Sequence, residues 1–549
     1  MNEVERVPAT QELQAQIRSE TPTMSHRQIL TAMSGLLLGM FVAMLSSTVV
    51  TNALPRIITQ LHGSEIGYTW VVAATLLAMT ATTPLWGKLS DLISPKLLVQ
   101  LSLLTYVIGS AIAGISTTVG MLIAARTLQG VGAGGLLALV QIIMARMIAP
   151  RERGRYSGYI GAVFALATVL GPLIGGVIVD TSWLGWRWCF YVGLPFAVIA
   201  LIVLQRTLRL PTLRRDDVHV DYLGATLIVG GVSVLLIWVS LAGQQFAWVS
   251  VPTAALVLIG AALLVAALSV ESRVAEPIIP LRLFRDRTVA LASAASLFVG
   301  SSLYGITVFL SQYFQISRGK TPTMSGVYTI PLIMGMFLSS LIIGRIISRT
   351  GLWKRYLVGG GISLVLGLAL LATLRSDSPY GLVALGMVLV GAGQGATMQN
   401  LVLAVQNTVR MRDIGSASAS VSFLRSLGGA IGVSALGAVL ASKVSSQISA
   451  GLSRLGVPAG SAGGDGVPNP ATLPAPVAHV VESAYGIGTA WIFGISAITA
   501  LIGALMIPFI REVPLRTSNT DEVDLPTPPE RPLVAAATAA PAGAEDVGL

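Results

Sequence analysis

The chain has 549 residues, of which 53% are hydrophobic and only 11% charged, with a formal net charge of +10. Soluble proteins carry about 25% charged residues, so a water-soluble enzyme or binding module of this size is excluded. The single cysteine, Cys189, also excludes an intrachain disulfide and a thiolate metal site.

Residues 1–28 are polar, carry four Glu and lack the apolar core of a signal peptide, so they read as a cytoplasmic tail. Apolar windows of roughly 20 residues, each long enough to cross a bilayer, then recur fourteen times. They lie near 29–54, 66–87, 96–116, 119–146, 156–180, 186–206, 221–243, 249–269, 288–315, 325–347, 356–374, 380–408, 414–441 and 485–510. Segment 443–484 holds the run GVPAGSAGGDGVPNPATLPAP and reads as a long external linker. Residues 513–549, rich in Pro, Ala and Glu, read as a disordered cytoplasmic tail.

With residue 1 placed in the cytoplasm, the inside loops and tails hold 26 of the 35 Lys and Arg, the outside loops hold 7, and Arg126 and Arg425 fall within spans. This bias predicts both termini inside. The basic residues are scattered over short loops, so an anionic lipid surface accounts for them and nucleic acid does not. The four histidines are expected outside the spans, which leaves no intramembrane histidine relay.

The two halves echo one another. Gly87-K-Leu89-S-Asp91 after the second span is matched by Gly344-R-I-I-S-Arg349 after the tenth, and Arg153-Gly154 before the fifth by Arg412-D-I-Gly415 before the thirteenth. An offset of eight among fourteen spans predicts an all-α membrane protein. It has two pseudo-symmetric six-helix bundles, 29–206 and 288–512, and an inserted helix pair with its loops at 207–287. Facing repeats of this kind are the expected frame of an alternating-access carrier.

Within the spans, Arg126 is the most informative residue: a permanent charge in a long apolar run needs internal partners or a water-filled cavity. It is expected to face a central pathway and to pair with Ser46, Thr48 or Asn52 of the first span. Arg425 reads as an internal structural contact or a snorkelling group. Polar residues on spans are candidates for lining the pathway: Asn52, Gln141, Gln312, Gln315, Gln394, Gln399 and Asn400, with Ser46 and Arg425. Gly171, Pro172, Gly175 and Gly176 read either as close helix packing or as a deformable hinge. None of the 25 carboxylates falls in the middle of a span; Glu65, Asp180 and Asp221 come nearest, at span ends. A catalytic cluster, a phosphate loop and a cofactor motif are not evident.

These motifs make the chain similar to the major facilitator superfamily, and within it to the fourteen-span drug:proton antiporters. The resemblance rests on Gly87, Leu89, Asp91 and Lys96 of the loop signature, and on the fourth-span R-x-x-Q-G-x-G-A of Arg126, Gln129, Gly130, Gly132 and Ala133. It also rests on the antiporter signature G-P-x-x-G-G of Gly171 to Gly176. The chain departs from that pattern at Ser94 and Pro95 in the loop, at Ser46 where a first-span aspartate is common, and at Arg146 where a fourth-span carboxylate is common. The resemblance implies efflux of lipophilic drugs or antibiotics across a bacterial plasma membrane by proton antiport. Arg126, Gln129, Gly130, Asp91, Asp180 and Glu65 then serve transport or coupling, and Asp91 forms a charge-dipole latch on the inner side. The absent first-span acid points to neutral or partly anionic substrates. The implied partners are protons, a small lipophilic substrate, the bilayer and, in double-membraned bacteria, an adaptor protein. Export of an endogenous lipid or metabolite, facilitated diffusion, a membrane enzyme and a non-transporting receptor are the alternatives.

Overall fold

The computed structural model describes residues 26–61, 65–181, 183–208, 221–243, 245–274, 277, 280–320, 322–410, 413–457 and 473–516, and it is helical throughout its regular elements. The helices are α1 (His26–Gln60), α2 (Glu65–Leu92), α3 (Pro95–Gly114), α4 (Val119–Met147), α5 (Pro150–Asp180), α6 (Leu194–Thr207) and α7 (Tyr222–Leu241). They continue as α8 (Val251–Glu271), α9 (Arg287–Gln312), α10 (Ile330–Thr350), α11 (Lys354–Leu371), α12 (Tyr380–Thr408), α13 (Ile414–Arg454) and α14 (Ala475–Met506). Thirteen are long and apolar enough to cross a membrane; the fourteenth, α7, carries the shorter apolar stretch Leu223–Val239. The chain is therefore a multi-pass membrane protein.

Local chemistry sets many of the boundaries. Thr118 opens α4 by accepting from Met121 N, and Asp286 opens α9 by accepting from Thr288 N and Val289 N, each satisfying donors that a helix start leaves free. Pro95 and Pro150 stand at the first positions of α3 and α5, where a missing N–H costs nothing. Gly351 ends α10 in a left-handed conformation, φ 74°. Two spans are interrupted near the end opposite the short basic loops. Helix α9 passes into a π turn at Tyr313–Ser317, and α10 is preceded by a separate turn, Pro322–Tyr328.

The packing carries the eight-span offset. In the first half α2 and α3 flank α4 while α5 and α6 flank α1; in the second, α10 and α11 flank α12 while α13 and α14 flank α9. The halves meet through α2 on α13 and α5 on α10, again related by eight, and α7 and α8 pair with each other beside α2 and α13. The same register appears in single residues. Gln129-Gly130 on α4 answers Gln394-Gly395 on α12. A Cβ on Gly130 would run into the Thr75 carbonyl of α2, and one on Gly395 into the Met336 carbonyl of α10.

Two expectations are corrected. The external linker 443–484 is largely helical, because α13 runs on to Arg454 and α14 starts at Ala475; residues 458–472 lie outside the described residues. These extensions pair through Leu440, Val444, Leu452, Val477 and Val481, which form one apolar cluster with Phe309 and Ile316. His479, expected outside any span, is consequently on α14. The C-terminal tail is also ordered at its start. Glu512 Oε1 accepts from Trp353 N and Lys354 N at the head of α11, and Arg516 N donates to Asn407 Oδ1 on α12. The tails 1–25 and 517–549 lie outside the described residues.

Candidate functional site

A cavity lies between the halves, walled by α1, α2, α4 and α5 on one side and by α9, α10, α12 and α13 on the other. Much of its wall is flexible and apolar, with Met40, Met44, Met79, Met336, Met398 and Phe164. Methionine surfaces repack around differently shaped ligands. Its volume is about 50 Å³, room for a few waters, whereas drug-sized ligands occupy roughly 300–1,000 Å³. The halves must therefore separate before it can admit such a molecule.

The polar lining is uneven. Among the described lining residues there is no Asp or Glu, and the sole charge is Arg425. Arg425 is 7% exposed; its Nη2 reaches Ser422 Oγ at 3.5 Å, and its Nη1 has no hydrogen-bond acceptor. Gln141 Oε1 and Gln394 Nε2 line the same space and are likewise without partners. A buried polar group without a partner is costly, and here two donors, Arg425 Nη1 and Gln394 Nε2, and one acceptor, Gln141 Oε1, belong to residues of the same wall. Tyr304 sits beside Arg425 and Ser426.

Arg126 is elsewhere. It is buried inside the first half, where Nη1 donates to Gln129 Oε1 at 3.0 Å, and Gln129 Nε2 donates to Ser110 Oγ at 2.6 Å. Tyr106 lies among Ser46, Ser110 and Arg126. Arg126 is absent from the cavity wall, contrary to expectation, and among the described residues its side chain bonds Gln129 of its own helix; the side chain of Asn52, one of its expected partners, lies outside them. Thr48, expected to pair with it, donates to carbonyls of its own helix and to Ala167 O on α5. Gly130 serves the close approach of α2.

At the end that bears the basic loops the halves are tied together. Asp91 Oδ1 accepts from Gly415 N at 2.9 Å, and its Oδ2 accepts from Ser416 N and Ser416 Oγ, both at 2.8 Å. A carboxylate of α2 thus sits on the N-terminus of α13, where exposed N–H groups and the helix dipole favour an anion. Arg146 of α4 holds the same carboxylate at 3.0 Å and also donates to Ser90 O. Gly87 makes the crossing possible, since a Cβ there would strike the Cβ of Ala419 and the Gly415 carbonyl. A second tie runs from Arg153 Nη1 of α5 to Gln406 Oε1 of α12 at 3.0 Å, and on from Gln406 Nε2 to Ser418 Oγ of α13. Arg151 reaches the carbonyls of Ser348 and Arg349.

The other expected residues divide. Gln141, Gln394 and Arg425 line the cavity. Asn400 is turned to Ala396 O of its own helix, Gln312 lies next to the π turn, and Ser46 belongs with Tyr106, so none of these three lines it. Gly171 abuts Thr48 and Gly175 abuts the Val49 carbonyl, so both pack α5 onto α1 within one half rather than between halves. Gly176 continues α5 unbroken, and Pro172 lies in the same helix with its side chain outside the described residues. The side chains of Asn52, Glu65 and Asp180 are outside them too. Sequence reasoning missed Arg146, Arg153 and Gln406 as cross-links. It named Arg425 but missed Ser422 and Ser426 beside it, whose three- and one-residue offsets from Arg425 put all three on the cavity wall.

Comparison with known proteins agrees with this architecture. The Major Facilitator Superfamily profile matches residues 36–433. An uncharacterized MFS-type transporter of Mycobacterium tuberculosis is 33% identical over 513 residues, covering 93% of this chain and 73% of its own length. The efflux pump dotC of Dothistroma septosporum is 35% identical (83% and 79% covered), and the multidrug transporter protein MdtP of Bacillus subtilis is 33% identical (74% and 74%). In structure, the proton:xylose symporter XylE superposes with a TM-score of 0.59 at 15% identity over 89% of this chain and 97% of its own. The human organic anion transporter MFSD10 superposes at 0.54 with 14% identity, over 86% and 99%. With its helices, its repeat and its central cavity in place, the chain is a transporter that belongs to the major facilitator superfamily.

Proposed function

We propose that this transporter exports lipophilic or amphipathic small molecules across a plasma membrane, with both termini cytoplasmic, by alternating access of the cavity between its halves. The observation that carries the reading is a methionine-rich cavity, closed at the basic-loop end by Asp91 on the N-terminus of α13 and too small for a drug until the halves part. Relatives whose names describe multidrug transport and efflux support the choice of substrate.

Protons drive the cycle in this reading. With no carboxylate on the described cavity wall, Asp91 is the acid through which a proton reaches the conformational change: neutralising it weakens both the Arg146 pair and the helix-terminus bond. The test is purified protein in liposomes that enclose a pH-sensitive dye, under an imposed gradient of a neutral lipophilic fluorophore. Substrate-dependent proton movement in the wild type, lost in Asp91→Asn, supports antiport. Fluorophore flux with no proton movement instead favours a facilitator, the reading to which the acid-free wall would then point.

A further inference from the structure

The cavity contains a specific imbalance. Arg425 Nη1 and Gln394 Nε2 are buried donors without acceptors, and both line the same wall of the second half. Among the described lining residues there is no carboxylate with which either could pair. Arg425 lies nine to ten residues along α13 from the Gly415 and Ser416 amides that hold Asp91, roughly 15 Å along the axis at 1.5 Å per residue. That depth is near the middle of a hydrocarbon core about 30 Å thick. A guanidinium at this depth cannot reach water along its own stem, and the titratable group beside it is Tyr304. Ser422 and Ser426 flank it on the same face, and the Gln141 amide stands on the opposite half.

We infer that Arg425, with Gln394, forms an anion subsite that selects amphipathic substrates carrying one carboxylate on an apolar body; the inference rests on the export reading above. The guanidinium presents two parallel donors, which match the two oxygens of a carboxylate better than a single-point contact. The Gln394 amide adds a third donor. The methionines and Phe164 receive the apolar body, and their flexibility keeps its shape loosely specified while the charge is specified closely. A cationic ligand meets only Arg425 at this place and is repelled. This selection distinguishes the cavity from one built around a buried acid, and it follows from the wall composition rather than from the superfamily.

The test uses the full chain in lipid nanodiscs for binding and in liposomes for flux, with a dansyl-labelled alkyl carboxylate and its carboxamide as probes of equal shape. The wild type is expected to bind the carboxylate about tenfold more tightly than the amide, the effect of one charge-assisted bidentate contact. Arg425→Gln is expected to erase that ratio while keeping amide binding, and Arg425→Lys to keep part of it. Retention by the lysine variant separates loss of anion recognition from loss of fold. An unchanged ratio in Arg425→Gln, a wild-type preference for the amide, or no binding of either probe overturns the subsite. Carboxylate binding that depends on Arg425 without flux leaves the subsite standing and removes the export reading. Flux of both probes without preference does the reverse.

Discussion

The two buried arginines make the most instructive comparison in this molecule. Arg126 and Arg425 are equally hidden, at 4% and 7% exposure, and each stands in an apolar helix with a tyrosine at its side. Arg126 is enclosed by its own half and feeds a chain through Gln129 to Ser110. Arg425 faces the other half across a cavity and has one long contact. The first looks built to hold helices in place, the second to wait for a ligand. A charge in a span is thus a statement of cost, and the neighbours decide what the cost secures.

The largest expected effect breaks this comparison at Arg126. Arg126→Ala leaves Gln129 Oε1 without its donor in a dry interior and should destabilise the fold by about 3 kcal/mol. It is read as a clear fall in thermal midpoint in detergent, whereas Arg425→Gln should leave the midpoint nearly unchanged. Equal losses in the two variants would erase the distinction. Next, Asp91→Asn removes an anion from a helix terminus and from Arg146. It should shift the balance away from the closed basic end by about 2 kcal/mol, measured as lengthened distances between spin labels on α2 and α13 at that end. Gly87→Val should open the same end by steric means alone, with the carboxylate intact, and cost roughly 1–3 kcal/mol of that closure. Unchanged distances in both variants would show that the latch does not hold the halves. The repeat partners separate in the same way. Gln129→Ala should cost about 2 kcal/mol of stability because two bonds are lost, and Gln394→Ala, the smallest effect, less than about 1 kcal/mol because its amide nitrogen is unpaired in the resting cavity.

Much of the frame was legible in the chain itself. Apolar windows of bilayer length fall on thirteen helices long enough to span and on the shorter α7. Asp91 was legible as a latch only through the loop signature it shares with the superfamily; its partner, the start of α13, was not visible in the chain. Arg126 was expected on the pathway and Arg425 as a structural contact, and the structure puts Arg425 on the cavity wall instead, because the difference lies in contacts between helices distant in sequence. The extension of α13 was missed for a different reason: its residues beyond 441 are mostly polar and read as linker. Leu440, Val444, Ile448 and Leu452 recur every four residues there, and Val477 and Val481 answer them on α14, a stripe visible once a partner helix is considered.

That extension has a mechanical consequence. Helix α13 has 41 residues, hence a rod about 60 Å long, twice the thickness of a hydrocarbon core. One end carries the Gly415 and Ser416 amides on Asp91, Arg425 stands about a quarter of the way along, and the far end is clamped to α14 at Gly451 and Val480. A stiff beam pinned in this way converts a small tilt at one end into a large displacement at the other. Ten degrees about its midpoint would sweep each tip by about 5 Å. A fluorophore pair on the distant hairpin therefore becomes a gauge of the latch, readable from the far side of the membrane without touching the cavity between.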